Sequence, residues 1–142
     1  MNLTWINWAF LSAVFAALTA IFAKIGVRDI DSDLATLLRT FVVVIALTAL
    51  VMSLHKWTNP LTLPRTTLLF LVLSGLATAA SWLCYFRAIQ LGPVALVAPI
   101  DKFSVVIVAV IAYAALAERP TPREWIGIAL VTLGVMVIAL RR

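Results

Sequence analysis

Charged residues are scarce in this sequence: Asp, Glu, Lys and Arg together make up 12% of it, roughly half the share of an ordinary soluble domain. Against 64% hydrophobic residues, so little charge cannot give a folded globule a polar surface. A soluble enzyme, a disordered tail and a nucleic-acid-binding module are excluded on that ground. The single cysteine, Cys84, lies in an apolar run, so neither a disulfide framework nor a metal cluster is expected, and it reads as a small buried hydrophobe. The one histidine, His55, stands beside Lys56 at a span end; a membrane-edge position outweighs a pH-sensing role there. The five glycines form no phosphate-cradling loop, and no Ser/His/acid set is placed to converge. No catalytic residue, metal or cofactor is therefore expected.

What the sequence has instead is long apolar runs. A bilayer core about 30 Å thick takes about 20 helical residues at 1.5 Å each. Runs of that length lie at residues 5–25, 34–54, 68–86, 94–117 and 122–140. They predict an all-α integral membrane protein of five transmembrane helices, with short loops and no attached soluble domain. The first run carries no preceding basic residue and has Asn2 and Asn7 in that region, which argues against a cleaved signal peptide. The connectors are punctuated as helix ends should be. Asp31-Ser32-Asp33 offers capping oxygens to the second helix, and Asn59-Pro60, Leu63-Pro64 and Leu91-Gly92-Pro93 interrupt the chain. Thr121-Pro122-Arg123-Glu124 has the form of a capping box with Pro at the first helical position.

Five spans put the two termini on opposite sides of the bilayer. Trp5, Trp8, Trp57 and Trp125 fall near the side where the chain begins, as an aromatic belt would. Lys56, Arg65, Arg119 and Arg123 lie on that side, against Lys24, Arg28, Arg87, Arg141 and Arg142 on the far side. Orientation follows an asymmetry of this count, so a near tie leaves it weakly specified. Either a subtler signal fixes one orientation or the chain inserts both ways.

Polar residues inside the spans are costly, about 2.5–3.5 kcal/mol for a charge on insertion scales, and so informative. Arg39, on the second helix with Thr36 and Thr40 beside it, is either a substrate contact or half of an ion pair with Asp33 or Asp101. Ser74, Thr78, Ser81 and Tyr85 fall within about 60° of arc on the third helix. That stripe either lines a path, with Trp82 as an apolar wall, or serves as interhelical glue. Pro99 is expected to start a new helical segment that carries Asp101 in its first turn, where the helix dipole favours an acid. The alternative is a kinked helix with Asp101 paired to Arg39 and Lys102 reaching to the headgroups. Ser104 and Tyr113 are expected to share the lining with Asp101 and Lys102. Lys24 and Arg87 are expected to snorkel to the far-side headgroups, and Glu118 to form a loop-end ion pair. Small residues at Ser12, Ala16 and Ala20, at Gly75 and Ala79, and at Gly127 and Gly134 permit close helix packing, within a subunit or between subunits.

One set of motifs spans the chain: Tyr85-Phe86-Arg87-Ala88-Ile89-Gln90-Leu91-Gly92, Ala98-Pro99-Ile100-Asp101-Lys102-Phe103-Ser104, Glu118-Arg119-Pro120-Thr121-Pro122, Trp125-Ile126-Gly127 and Gly134-Val135. It resembles the EamA domain of the drug/metabolite transporter superfamily. Most such transporters are similar to two five-helix domains fused in inverted orientation. The resemblance implies that residues 1–142 form one half-size EamA domain in the cell membrane, the cytoplasmic membrane of a prokaryote. It further implies a transporter of small metabolites. An odd number of spans makes any tandem copy inverted, and substrate sites commonly lie between inverted repeats. Self-association, most simply as an inverted homodimer, is the expected way for one copy to complete a path.

The sign of the substrate follows from the charges within the spans. Arg39, Asp101 and Lys102 sum to about +1, and Lys24 at the rim raises this to about +2; a cavity of that sign attracts anions. An anionic or zwitterionic metabolite is expected, held bidentately by Arg39. The rivals are export of organic cations at Asp101, a non-transporting subunit of a larger complex, and a membrane-embedded lipid enzyme.

Overall fold

The computed structural model describes residues 4–140, for residue 61 the backbone alone. Among the described residues every regular element is helical: α1 (Trp5–Gly26), α2 (Ser32–Ser53), a short 3-10 turn (Pro60–Thr62), α3 (Arg65–Leu91), α4 (Val94–Asp101), α5 (Ser104–Ala115) and α6 (Pro122–Ala139). With α4 and α5 taken together over Val94–Ala115, five helical stretches are long and apolar enough to cross a membrane, with mean hydropathy from 1.5 to 2.3. The protein is an all-helical, multi-pass membrane protein, as the apolar runs predict.

The helix ends follow from local chemistry. Asp31 caps α2 by accepting from the backbone N–H groups of Asp33 and Leu34 at 2.9 and 3.1 Å. At α6 the predicted capping box is complete: Thr121 Oγ1 accepts from Glu124 N, and the Glu124 carboxylate accepts from Thr121 N at 2.6 Å. α2 ends in a Schellman turn, with His55 N–H donating to Met52 and Lys56 N–H to Val51. His55 takes the left-handed position at φ 53°, and Ala117, just past α5, does so at φ 54°.

Two boundaries differ from expectation. α3 starts at Arg65, directly after Pro64, and continues five residues beyond position 86 to Leu91. Its last turn is held by partners elsewhere in the first ninety residues: Ile89 meets Lys24 at the end of α1, Arg87 meets Asp33 at the start of α2, and Gln90 meets Val27 between them. The fourth span breaks after Asp101 rather than at Pro99. α4 runs through Pro99, and the chain then tightens. Lys102, Phe103, Val105 and Val106 each donate to the carbonyl three residues back, the 3-10 spacing that marks a change of helix direction or register. Asp101 therefore closes one helix instead of opening the next.

The chain divides into two compact units, Met1–Gln90 and Leu91–Arg142. In the first, burial concentrates at the far-side end: Val27, Ser32, Phe86 and Ile89 are each no more than 3% exposed. In the second, α6 packs against α4 and α5, and Ala112 and Val135 are its buried residues. Elsewhere large apolar side chains cover the helix exteriors. In water that would be an aggregation hazard, but in hydrocarbon it is the expected solvent-facing surface.

Candidate functional site

The first unit contains a cavity of about 320 Å³ formed by three helices. α1 contributes Thr19, Phe22, Ala23 and Gly26, α2 contributes Ala35, Leu38 and Arg39, α3 contributes Phe86, and Ile30 comes from the α1–α2 segment. Arg39 is the one charged side chain in this lining. Its guanidinium lies over the Trp82 ring, 3.9 Å from the centroid, and 5.5 Å from that of Phe86. Trp82 and Phe86 are four residues apart on α3 and so share a face. They form an aromatic platform for the cation, an arrangement worth about 0.5–2 kcal/mol depending on desolvation. A guanidinium set over aromatic rings stacks on them through its flat face. Its N–H groups point outward in the guanidinium plane, the geometry that meets an oxyanion.

Arg39 has no carboxylate partner among the described residues. The expected pairing with Asp33 does not form. The two are six residues apart on α2, about 120° around the helix, whereas side chains meet at spacings of three or four. Asp33 instead pairs with Arg87 at 3.2 Å, and the Arg87 side chain remains 63% exposed. Thr36 and Thr40 turn their hydroxyls back to the carbonyls of Ser32 and Thr36, at 2.8 and 2.7 Å.

On the far side, four polar contacts fasten the end of α3 to the end of α1, the α1–α2 segment and the start of α2. Lys24 Nζ donates to the carbonyl of Ile89 rather than only reaching for headgroups. Gln90 Nε2 donates to the carbonyls of Val27 and Ile30, at 3.2 and 2.9 Å. The Asp33–Arg87 pair completes the clasp, with both side chains more than half exposed. Gly26, Ile30 and Phe86 line the cavity.

The other candidates are not among the residues that line this cavity. Ser74, Thr78 and Ser81 are exposed on α3, and Thr78 donates to the Ser74 carbonyl at 2.9 Å, the self-bonding half of the alternatives for that stripe. Tyr85 is half-buried and lies outside the cavity lining. In the second unit, Asp101 and Lys102 form an ion pair at 3.6 Å. Adjacent helical residues point about 100° apart; the pair forms because the helix ends between them. Asp101 thus gains nothing from a helix N-terminus, and its local positive partner is Lys102. Ser104 is exposed at the first position of α5. Tyr113 makes an edge-to-face contact with Trp125, 6.2 Å between centroids.

A second cavity, of about 430 Å³, lies within the second unit along α5 and α6, bordered by Glu118, Arg119 and Glu124. Glu124 is committed to the capping box, and Glu118 and Arg119 carry opposite signs. A carboxylate that accepts capping bonds keeps its charge, so Glu118, Arg119 and Glu124 leave this border with a net charge of −1. Among the described residues no group of three His, Cys, Asp or Glu side chains is placed to hold a metal.

Of the cavity lining, Arg39 alone stood among the sequence candidates; Thr19, Phe22, Ala23, Gly26, Ile30, Ala35, Leu38 and Phe86 did not, nor did Gln90 in the contacts at the end of α3. The four-residue step from Trp82 to Phe86 was a readable signal of a shared face; the partner of that face was not.

Comparison with known proteins places this architecture in a class. The EamA-like transporter family matches residues 3–140, and the chain belongs to that family. It is similar to a Sinorhizobium sp. protein described as an uncharacterized transporter in the cobO 3′ region, with 50% identity over 139 residues. The match covers 98% of this chain and 99% of that protein, which is accordingly of single-domain size. No solved structure matches. The protein is thus a transporter of the EamA-like family with one domain's worth of spans.

Proposed function

We propose that the protein carries a small anionic or zwitterionic metabolite across the cytoplasmic membrane of a prokaryote, with both compact units acting as one EamA domain and with at least two copies forming the path. The observation that carries the reading is Arg39: a guanidinium without a carboxylate partner among the described residues, set on an aromatic platform at the wall of a 320 Å³ cavity. That volume is at the small end of ligand sites. Asp101 and Lys102 balance each other, so the excess positive charge foreseen within the spans falls to Arg39. Self-association is supported by the near tie of basic residues across the bilayer and by the relative of the same single-domain length. Added Cβ atoms at Gly75, Gly127 and Gly134 would meet nothing within 4 Å, which leaves room for a neighbouring helix.

The test is uptake into proteoliposomes of a panel of labelled small carboxylates and phosphates, beside quaternary ammonium compounds. Anion uptake above that of empty liposomes should fall to background in Arg39→Ala, and Arg39→Lys should restore little, since an ammonium supplies neither the planar fork nor the same stacking. Accumulation of quaternary ammonium compounds, lost in Asp101→Asn, would instead establish the cation-export reading.

A further inference from the structure

Beyond the sign of the substrate, the cavity constrains how many charges it carries and of what kind. The lining holds one cation and no acid: Thr19, Phe22, Ala23, Gly26, Ile30, Ala35, Leu38, Arg39 and Phe86. The nearest acid along α2, Asp33, is engaged by Arg87 at 3.2 Å. An ammonium group entering here meets no carboxylate, and of the two aromatic rings in the lining, Phe22 and Phe86, the second already lies 5.5 Å from the Arg39 guanidinium. It would be desolvated beside a like charge, with nothing to pair it. A second carboxylate fares no better, because Arg39 is the one cation in the lining. The rest of the wall, from Phe22, Ile30, Leu38 and Phe86, is apolar and takes hydrocarbon.

We infer that the Arg39 cavity selects a monoanion, one planar oxyanion at the end of an apolar body with no ammonium group, and that Trp82 is the positioning residue that holds the guanidinium edge toward it. This rests on the reading of Arg39 as a substrate contact and narrows it from anionic or zwitterionic to strictly monoanionic. Trp82 acts through Arg39: it is absent from the lining itself, and stacking fixes the guanidinium plane while leaving the N–H fork free.

The test is equilibrium binding of radiolabelled 4-phenylbutyrate to the full chain in phosphatidylcholine nanodiscs. Its competitors share the phenyl body: 2-amino-4-phenylbutyrate as zwitterion, 4-phenylbutylamine as cation and benzylsuccinate as dianion. We expect saturable binding, with each competitor at least about tenfold weaker than unlabelled 4-phenylbutyrate, a difference that one unpaired polar group readily produces. Binding should be lost in Arg39→Gln, weakened severalfold in Trp82→Leu and restored in Trp82→Phe, which keeps an aromatic face. A merely structural Trp82 would show no such split. Equal competition by the zwitterion or the amine overturns the inference, as does unchanged binding in Trp82→Leu. If phosphatidylglycerol nanodiscs abolish binding at all ligand concentrations, the site belongs to a lipid headgroup and the inference falls. Arg39-dependent uptake of other anions in proteoliposomes would, in each case, leave the broader reading standing.

Discussion

Arg39 shows how a charge is tolerated inside a membrane helix with no carboxylate partner among the described residues. Trp82 and Phe86 supply quadrupole faces in place of a carboxylate, and Thr36 and Thr40 satisfy themselves along their own helix. The residue's capacity for an anion is therefore not consumed in holding the fold. A different kind of local tension sits at Ala117, which adopts the left-handed region at φ 54°, where a Cβ costs about 1–2 kcal/mol. Ala117→Gly should relieve that cost, less the entropy glycine adds to the unfolded chain. We expect a gain of about 0.5–1 kcal/mol, seen as a higher Tm in detergent by circular dichroism. His55→Gly, at φ 53°, should gain less, because histidine visits this region more readily than alanine. A lower Tm for Ala117→Gly would contradict the reading of that helix end.

At the scale of elements, two features decide how α3 and the fourth span behave. The clasp on the end of α3 combines contacts of unequal worth. Asp33–Arg87 is exposed, so Arg87→Ala should cost no more than about 1 kcal/mol. Gln90 closes two carbonyls, one of them on Val27 at 1% exposure, and Gln90→Ala should cost more, about 1–2 kcal/mol. Thermal unfolding of the two variants side by side checks the order. In the fourth span, the Asp101–Lys102 pair at 3.6 Å predicts non-additivity. Asp101→Ala and Lys102→Ala should each lower stability by leaving one charge unmatched in an apolar span, and the double variant should be more stable than either single one. A double variant worse than both would place the two charges in separate interactions.

These elements also mark what was legible beforehand. The five spans, the Asp31 cap and the Thr121–Glu124 box depend on length, hydropathy and residues two or three apart, and all three were readable along the chain. The partners of Lys24, Arg39 and Arg87 lie 40 or more residues away on another helix, and those of Gln90 lie as far away on the α1–α2 connector. Hydropathy assigns such residues to headgroups or cavities but cannot choose the carbonyl, carboxylate or ring that receives them. The break after Asp101 escaped for another reason: proline is a strong local signal, yet the helix passes through Pro99 and ends two residues later.

For the whole molecule, the near tie of Lys and Arg across the bilayer makes orientation easy to bias. Two added lysines at the N-terminus, or two in the α1–α2 segment, should fix opposite orientations. If the path is built from inverted copies, each fixed variant alone should be inactive in uptake, and co-expression of the two should restore activity. Equal activity of either variant alone would leave a parallel assembly or a single copy as the working form. The central claim joins the Arg39 site to a shared path: Arg39 from more than one copy is needed for anion transport. Mixing wild-type and Arg39→Ala chains before reconstitution measures it directly. With equal amounts of the two in a dimer that requires both arginines, anion uptake should drop to about one quarter of the wild-type rate, the share of dimers with two intact sites. A fall only in proportion to the wild-type fraction would contradict the shared path, and uptake indifferent to the mixture would contradict the role of Arg39 itself.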